Sequence, residues 1–75
     1  MSKYELLACL ARLGDADAAA VAEDLAEPFA TVSMALLRAA RQGLAVRYED
    51  LVTGLYRYAL SPHGQRRLAY FKHNT

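Results

Sequence analysis

Residues 21–44, VAEDLAEPFATVSMALLRAARQGL, decide the fold. Val21, Ala22 and Leu25 recur at helical spacing, and Glu27-Pro28 then interrupts, because the residue before a proline is pushed out of helical geometry. A corner is expected there. Beyond it a second helix begins near Ala30, with Thr31 and Ser33 in its first turn. Val32, Leu36, Ala39 and Ala40 share one face of this helix, which should be buried. Gly43 follows the last periodic residue, where a left-handed cap costs glycine little, so this helix ends near Gln42. The stretch therefore reads as two helices joined by a tight corner, the second of them positioned for contact.

Upstream, Ser2-Lys3-Tyr4-Glu5 fits a capping box, with the Ser2 hydroxyl accepting from the Glu5 N–H while the Glu5 carboxylate reaches back. In the helix that starts there, Leu6, Leu10 and Leu13 form one stripe and Tyr4, Leu7 and Ala11 an adjacent one. That is more apolar surface than a single core contact uses, and part of it is expected to face another subunit. Gly14 stops the helix. Asp15 or Asp17 can cap the next, which runs from about Ala18 through Leu25.

Downstream of Leu44 the period changes from that of a helix to that of a strand. Leu44, Val46 and Tyr48 alternate with Ala45, Arg47 and Glu49, and Tyr56, Tyr58 and Leu60 alternate with Leu55, Arg57 and Ala59. Asp50-Leu51-Val52-Thr53-Gly54 between them fit a hairpin loop. On that register Arg47 and Arg57 are expected on the same, solvent-facing side. Ser61 can N-cap a last helix with Pro62 at its first position, Leu68 and Phe71 turned to the core and Arg66 and Arg67 turned out.

Seventy-five residues make one small domain, spanning 1–75, in which the core is only just sufficient and a partner subunit would add burial. With 55% hydrophobic and 23% charged residues the chain has a globular rather than a disordered composition. Lys3 and Glu5 break any secretory leader pattern, and no run approaches the ~20 apolar residues of a membrane helix, so a cytoplasmic location is expected and no membrane association. Cys9 is the only cysteine, so no internal disulfide can form; within an apolar helix it reads as a small core residue.

The net charge of +1 hides an asymmetry. Residues 1–27 carry Lys3 and Arg12 against Glu5, Asp15, Asp17, Glu23, Asp24 and Glu27. Residues 28–75 carry Arg38, Arg41, Arg47, Arg57, Arg66, Arg67 and Lys72 against only Glu49 and Asp50. The basic half coincides with the second helix of the corner, the hairpin and the last helix, where a polyanion would lie; a solvated face is the plainer alternative.

The central run is similar to the helix-turn-helix of winged-helix transcription regulators. Their pattern of an apolar-Ala-Glu-x-Leu helix, a short turn, Thr-Val-Ser and an apolar helix ending in Gly-Leu is met by Val21-Ala22-Glu23-Asp24-Leu25, Thr31-Val32-Ser33 and Gly43-Leu44. Downstream, Tyr58-Ala59-Leu60-Ser61-Pro62-His63-Gly64 resembles the Tyr-x-Leu-(Thr or Ser)-Pro-x-Gly that closes the wing in MarR-like and PadR-like repressors. Together the two motifs cover roughly two-thirds of the chain. The resemblance implies an α+β, mainly α, winged helix-turn-helix, with a three-helix bundle, a β-hairpin wing and a C-terminal helix. It also implies a homodimer on double-stranded DNA, with the helix over 30–42 in the major groove and the wing over 44–60 on the backbone.

Rotation of about 100° per residue puts Ala30, Met34, Leu37, Arg38 and Arg41 opposite the buried face of that helix, with Thr31 and Ser33 at its N-terminal shoulders. Candidate DNA contacts are therefore Thr31, Ser33, Met34, Arg38 and Arg41, joined by Arg47 and Arg57 on the wing. The family pattern places polar side chains where this chain has Phe29, Ala30, Met34, Ala35 and Leu37, and basic ones where the wing tip has Glu49-Asp50-Leu51-Val52. An alternative is a protein-interaction module of the same fold, docking a partner on Phe29, Met34, Leu37, Leu51 and Val52. Dimerisation is expected through the first and last helices. His63 and His73 lie near no serine, cysteine and carboxylate set, so no enzyme is expected. With Cys9 they show no short ligand spacing, and no metal or cofactor is assigned.

Overall fold

Ser2 starts the first helix as anticipated: its Oγ accepts from the Glu5 N–H at 3.1 Å, while its own N–H donates to Glu5 Oε1 at 3.2 Å. The computed structural model describes residues 1–73. Its elements are α1 (Lys3–Leu13), β1 (Asp15–Asp17), α2 (Ala18–Leu25), α3 (Phe29–Arg41), β2 (Ala45–Glu49), β3 (Tyr56–Leu60) and α4 (Pro62–His73). This is an α+β winged helix-turn-helix. No helix among the described residues is long and apolar enough to cross a membrane.

Local chemistry sets each boundary. Gly14, at φ 84°, ends α1 by donating its N–H to the Leu10 carbonyl, and the Asp17 carboxylate caps α2 through the Ala20 N–H at 2.8 Å. Ala26 ends α2 in the left-handed region at φ 54°, a conformation that alanine adopts only at a cost. Pro28 then supplies an extended N-cap to α3, which begins at Phe29, one residue earlier than the periodicity suggests. The Ser61 hydroxyl accepts the Gly64 N–H at 2.9 Å and donates to the Gly43 carbonyl, so one side chain caps α4 and ties it to the end of α3.

Leu6, Leu7, Cys9 and Leu10 of α1, Val21 of α2, and Val32, Leu36 and Ala39 of α3 form one core. Ala16, Leu44, Ala45, Tyr58 and Leu68 complete it. Burial raises the Cys9 thiol to about 11, helped by a hydrogen bond to Asp24 and the charge of that carboxylate. Arg12 of α1 forms an ion pair with the same Asp24 of α2. Gly64 sits where α4 crosses the start of β2. A Cβ there would lie 1.9 Å from the Leu44 carbonyl oxygen, so close backbone approach, not turn geometry, demands this glycine.

Two features differ from the sequence expectation. The hairpin carries a third strand, giving an antiparallel sheet in the order β1-β3-β2, with Asp15 opposite Ala59, Ala16 opposite Tyr58 and Asp17 opposite Arg57. Three residues, Asp-Ala-Asp, are too short to display a two-residue period, and only Ala16 turns inward. The second difference is the facing of the wing cations. Tyr58 pairs with Arg47, and Tyr48 with Arg57. Residues directly opposite share a face, so Arg47 lies on the side of the sheet that carries buried Ala45 and Tyr58, and Arg57 lies on the other side with Val46 and Tyr48. Arg47 and Arg57 therefore do not share a side. Leu44 is buried before the strand begins, and Val46 and Tyr48 face outward, one position out of phase with the pattern read from the chain.

Candidate nucleic-acid interface

Helix α3 turns its expected stripe inward, with Val32, Leu36 and Ala39 buried and Ala40 half-buried. Ala30, Thr31, Met34, Arg38 and Arg41 are exposed. Leu37 is half-buried, so it belongs less to the outer face than the helical wheel suggests. Ser33 is also half-buried; it lines an open cleft of about 310 Å³ with Phe29 and the wing residues Leu55, Tyr56 and Tyr58. The site residues read from the sequence thus divide into an outer face (Thr31, Met34, Arg38, Arg41) and a shoulder against the wing (Ser33).

The two ends of α3 differ electrically. Its N-cap is Pro28, which offers no side-chain acceptor, and no acid sits in its first turn. Among the described residues the first N–H groups have no anionic partner, at the end where the helix dipole favours negative charge. Arg38 and Arg41 lie in the last turn, where the dipole favours cations. Neither is in an ion pair among the described residues, which leaves both guanidiniums available to an external anion.

The wing arginines are held in different ways. The Arg47 guanidinium lies over the Tyr56 ring, 3.7 Å from its centroid, an arrangement that positions a cation without neutralising it. Arg57 Nη2 donates to Asp15 Oδ1 at 3.0 Å and to the Asp15 carbonyl at 3.2 Å. The Tyr48 hydroxyl donates to the same carboxylate. These hydrogen bonds, from Arg57 first and Tyr48 second, hold the Asp15 carboxyl below its ordinary range. Asp15, read from the sequence as a possible helix cap, is the centre of a knot joining all three strands. The only sequence signal for it is a carboxylate in the first residue after a helix-ending glycine, and the strand that places it there is not visible in the sequence.

At the wing tip Asp50 organises the turn, its Oδ1 accepting from Val52 N–H at 2.9 Å and its carbonyl from Gly54 N–H at 2.7 Å. Leu51 and Val52 project from this turn, 89% and 94% exposed. Phe29 and Met34 on α3 are exposed as well. Cys9 is buried on α1, whereas His63 and His73 are exposed at opposite ends of α4, so the three do not converge.

No family model and no curated protein matches the chain. Solved structures do. A probable transcriptional regulator from Pseudomonas aeruginosa superposes with a TM-score of 0.80 at 26% identity, over 87% of this chain and 50% of that one. The PcaV transcriptional regulator from Streptomyces coelicolor, solved with its natural ligand, gives 0.80 at 23% identity over 88% of this chain and 49% of its own. BpsR from Bordetella bronchiseptica, whose DNA binding is regulated by 6-hydroxynicotinic acid, gives 0.81 at 20% identity over 89% and 52%. The chain thus shares its fold with several transcription regulators and spans about half the length of each.

Proposed function

We propose that this chain is a DNA-binding unit of a transcription regulator, a single domain that lays α3 in the major groove of double-stranded DNA and the wing along the backbone. The observation that carries this reading is the sorting of charge around α3. Arg12 on α1 and Arg57 on the wing are each tied to a carboxylate, while among the described residues Arg38 and Arg41 on the exposed side of α3, and Arg47 on the wing, have no carboxylate partner. The fold shared with transcription regulators supports the same conclusion. In this reading the uncapped first turn of α3, with Thr31 and Ser33, receives a phosphate. Arg38 and Arg41 reach base edges or the adjacent strand, and Met34 meets thymine methyls. Arg47, oriented by Tyr56, contacts a phosphate beside the groove. Arg57 joins it only if DNA competes with Asp15 for its guanidinium.

The test is the salt dependence of binding to a random-sequence duplex, followed by fluorescence anisotropy. Four to six neutralised phosphates give a slope of log K against log salt of magnitude about 4 to 5, and Arg38→Ala with Arg41→Ala lowers that magnitude by about 2. No binding at low salt would dismiss the proposal. The exposure of Leu51, Val52, Phe29 and Met34 favours a second reading, a module that docks a protein. On that reading Met34→Glu abolishes function while the double arginine variant retains it.

A further inference from the structure

We infer that the chain carries a second phosphate-binding track, on the flank of α3 opposite the wing, made by the start of α1, the end of α3 and the start of α4. This rests on the DNA-binding reading above and extends it to residues outside α3 and the wing. Two open clefts, of about 200 and 320 Å³, adjoin there and share Lys3 and Gln42 in their walls. Arg38 lines the first; His63 and Arg67 line the second. Among the described residues no carboxylate lines either cleft. Two acids bond to residues that line the first cleft, Glu5 to the Ser2 N–H and Glu27 to the Met1 amino group at 3.3 Å.

One of these side chains sits where its charge does not favour the helix that carries it. Lys3 stands in the first turn of α1, where the helix dipole disfavours positive charge. Among the described residues Lys3, Arg38 and Arg67 make no ion pair; the Arg67 guanidinium lies 5.9 Å from the centroid of the Phe71 ring, which orients it without discharging it. Lys3, Arg38 and Arg67 are three full positive charges from three elements, with the Gln42 amide between them. They form a groove that suits the regularly spaced phosphates of a nucleic-acid strand. Arg38 faces both this track and the major-groove side, so a strand leaving the groove would pass from Arg38 across Lys3 and Gln42 to Arg67 and His63.

The decisive variant is Lys3→Gln with Arg67→Gln. Both side chains are exposed and lie outside the outer face of α3 and the wing. Anisotropy with a duplex of about 25 base pairs, across a salt series, should show the slope magnitude reduced by about 2 in this variant and by about 1 in Arg41→Ala, with thermal melts unchanged for both. If the wild type binds and the Lys3/Arg67 variant keeps the full slope, the track is refuted while the major-groove reading stands. If the wild type binds no duplex at all, both fall. Inorganic phosphate is titrated in parallel, with amide shifts of residues 3 and 67 as the readout. Saturable binding that the variant loses, together with an unchanged duplex slope, would make this a small-anion site and overturn the proposal.

Discussion

Two residues show how single side chains set the local structure. Ala26 occupies the left-handed region at φ 54° to end α2, where a Cβ is strained and glycine is not. Part of the relief offered by Ala26→Gly is offset by the greater freedom of glycine in the unfolded chain, so a net gain of about 0.5–1 kcal/mol is expected in urea denaturation. Asp15 supplies the second case. Its folded-state pKa is depressed by Arg57 and Tyr48, so its contribution is present above the ordinary carboxylate range and is lost as pH falls through the depressed value. Asp15→Asn should therefore melt below the wild type by a constant margin from pH 7 down to about pH 5, and that margin should close as pH drops below about 4. A margin unchanged at pH 2.5 would show that the Asp15 charge contributes nothing to the three-strand knot.

At the level of elements, α4 is fixed to the connection between α3 and β2 by backbone proximity. Gly64 admits the Leu44 carbonyl into the space a Cβ would fill, so Gly64→Ala requires the helix to move away from that connection. Backbone cannot yield as a flexible side chain does, and a cost of about 3 kcal/mol is expected, the upper part of the usual overpacking range. Calorimetry should record this as a fall in Tm of more than about 10 °C. The wing illustrates a different constraint. Arg47 and Arg57 sit on opposite sheet faces because a strand turns alternate residues to alternate sides and the partner strand fixes which. Their substitutions should accordingly separate: Arg47→Ala lowers DNA affinity without changing the melt, while Arg57→Ala frees β1 from the sheet and lowers the melt.

For the molecule as a whole, the accessible surface of 4720 Å² is close to the ~4,600 Å² of a folded monomer of 8.3 kDa, so the chain buries its own core without help. The radius of gyration, 11.6 Å, agrees. Yet α1 and α4 leave Tyr4, Leu13 and Tyr70 exposed, and the Tyr4 ring meets Phe71 edge-on where those helices touch. We propose that this face joins two copies. Sedimentation velocity should then show a dimer that dissociates on dilution, and Tyr70→Glu should leave a folded monomer at every concentration. A wild type that sediments as a monomer at about 100 μM would remove the proposal, because that excess of protein populates any interface of micromolar affinity.

The helices, the corner and most of the caps were legible in the sequence because each depends on chemical neighbours: Ser2 with Glu5, an aspartate at 15 or 17 ahead of α2, Pro28 after Glu27, Gly43 after Gln42, and an apolar residue every third or fourth position on α3. The outward placement of Arg38 and Arg41 followed from that periodicity alone. Tertiary structure decided the rest. Asp15 and Arg57 are 42 residues apart, and nothing local marks either as the other's partner. The phase of the wing, which sends Arg47 to one face and Arg57 to the other, depends on how β2 and β3 pair, and a slip of one residue exchanges every side chain. The cationic clefts between α1, α3 and α4 exist only once the three helices are packed. Sequence spacing encodes contacts along the chain, whereas contacts across it come from the way the buried core aligns the elements.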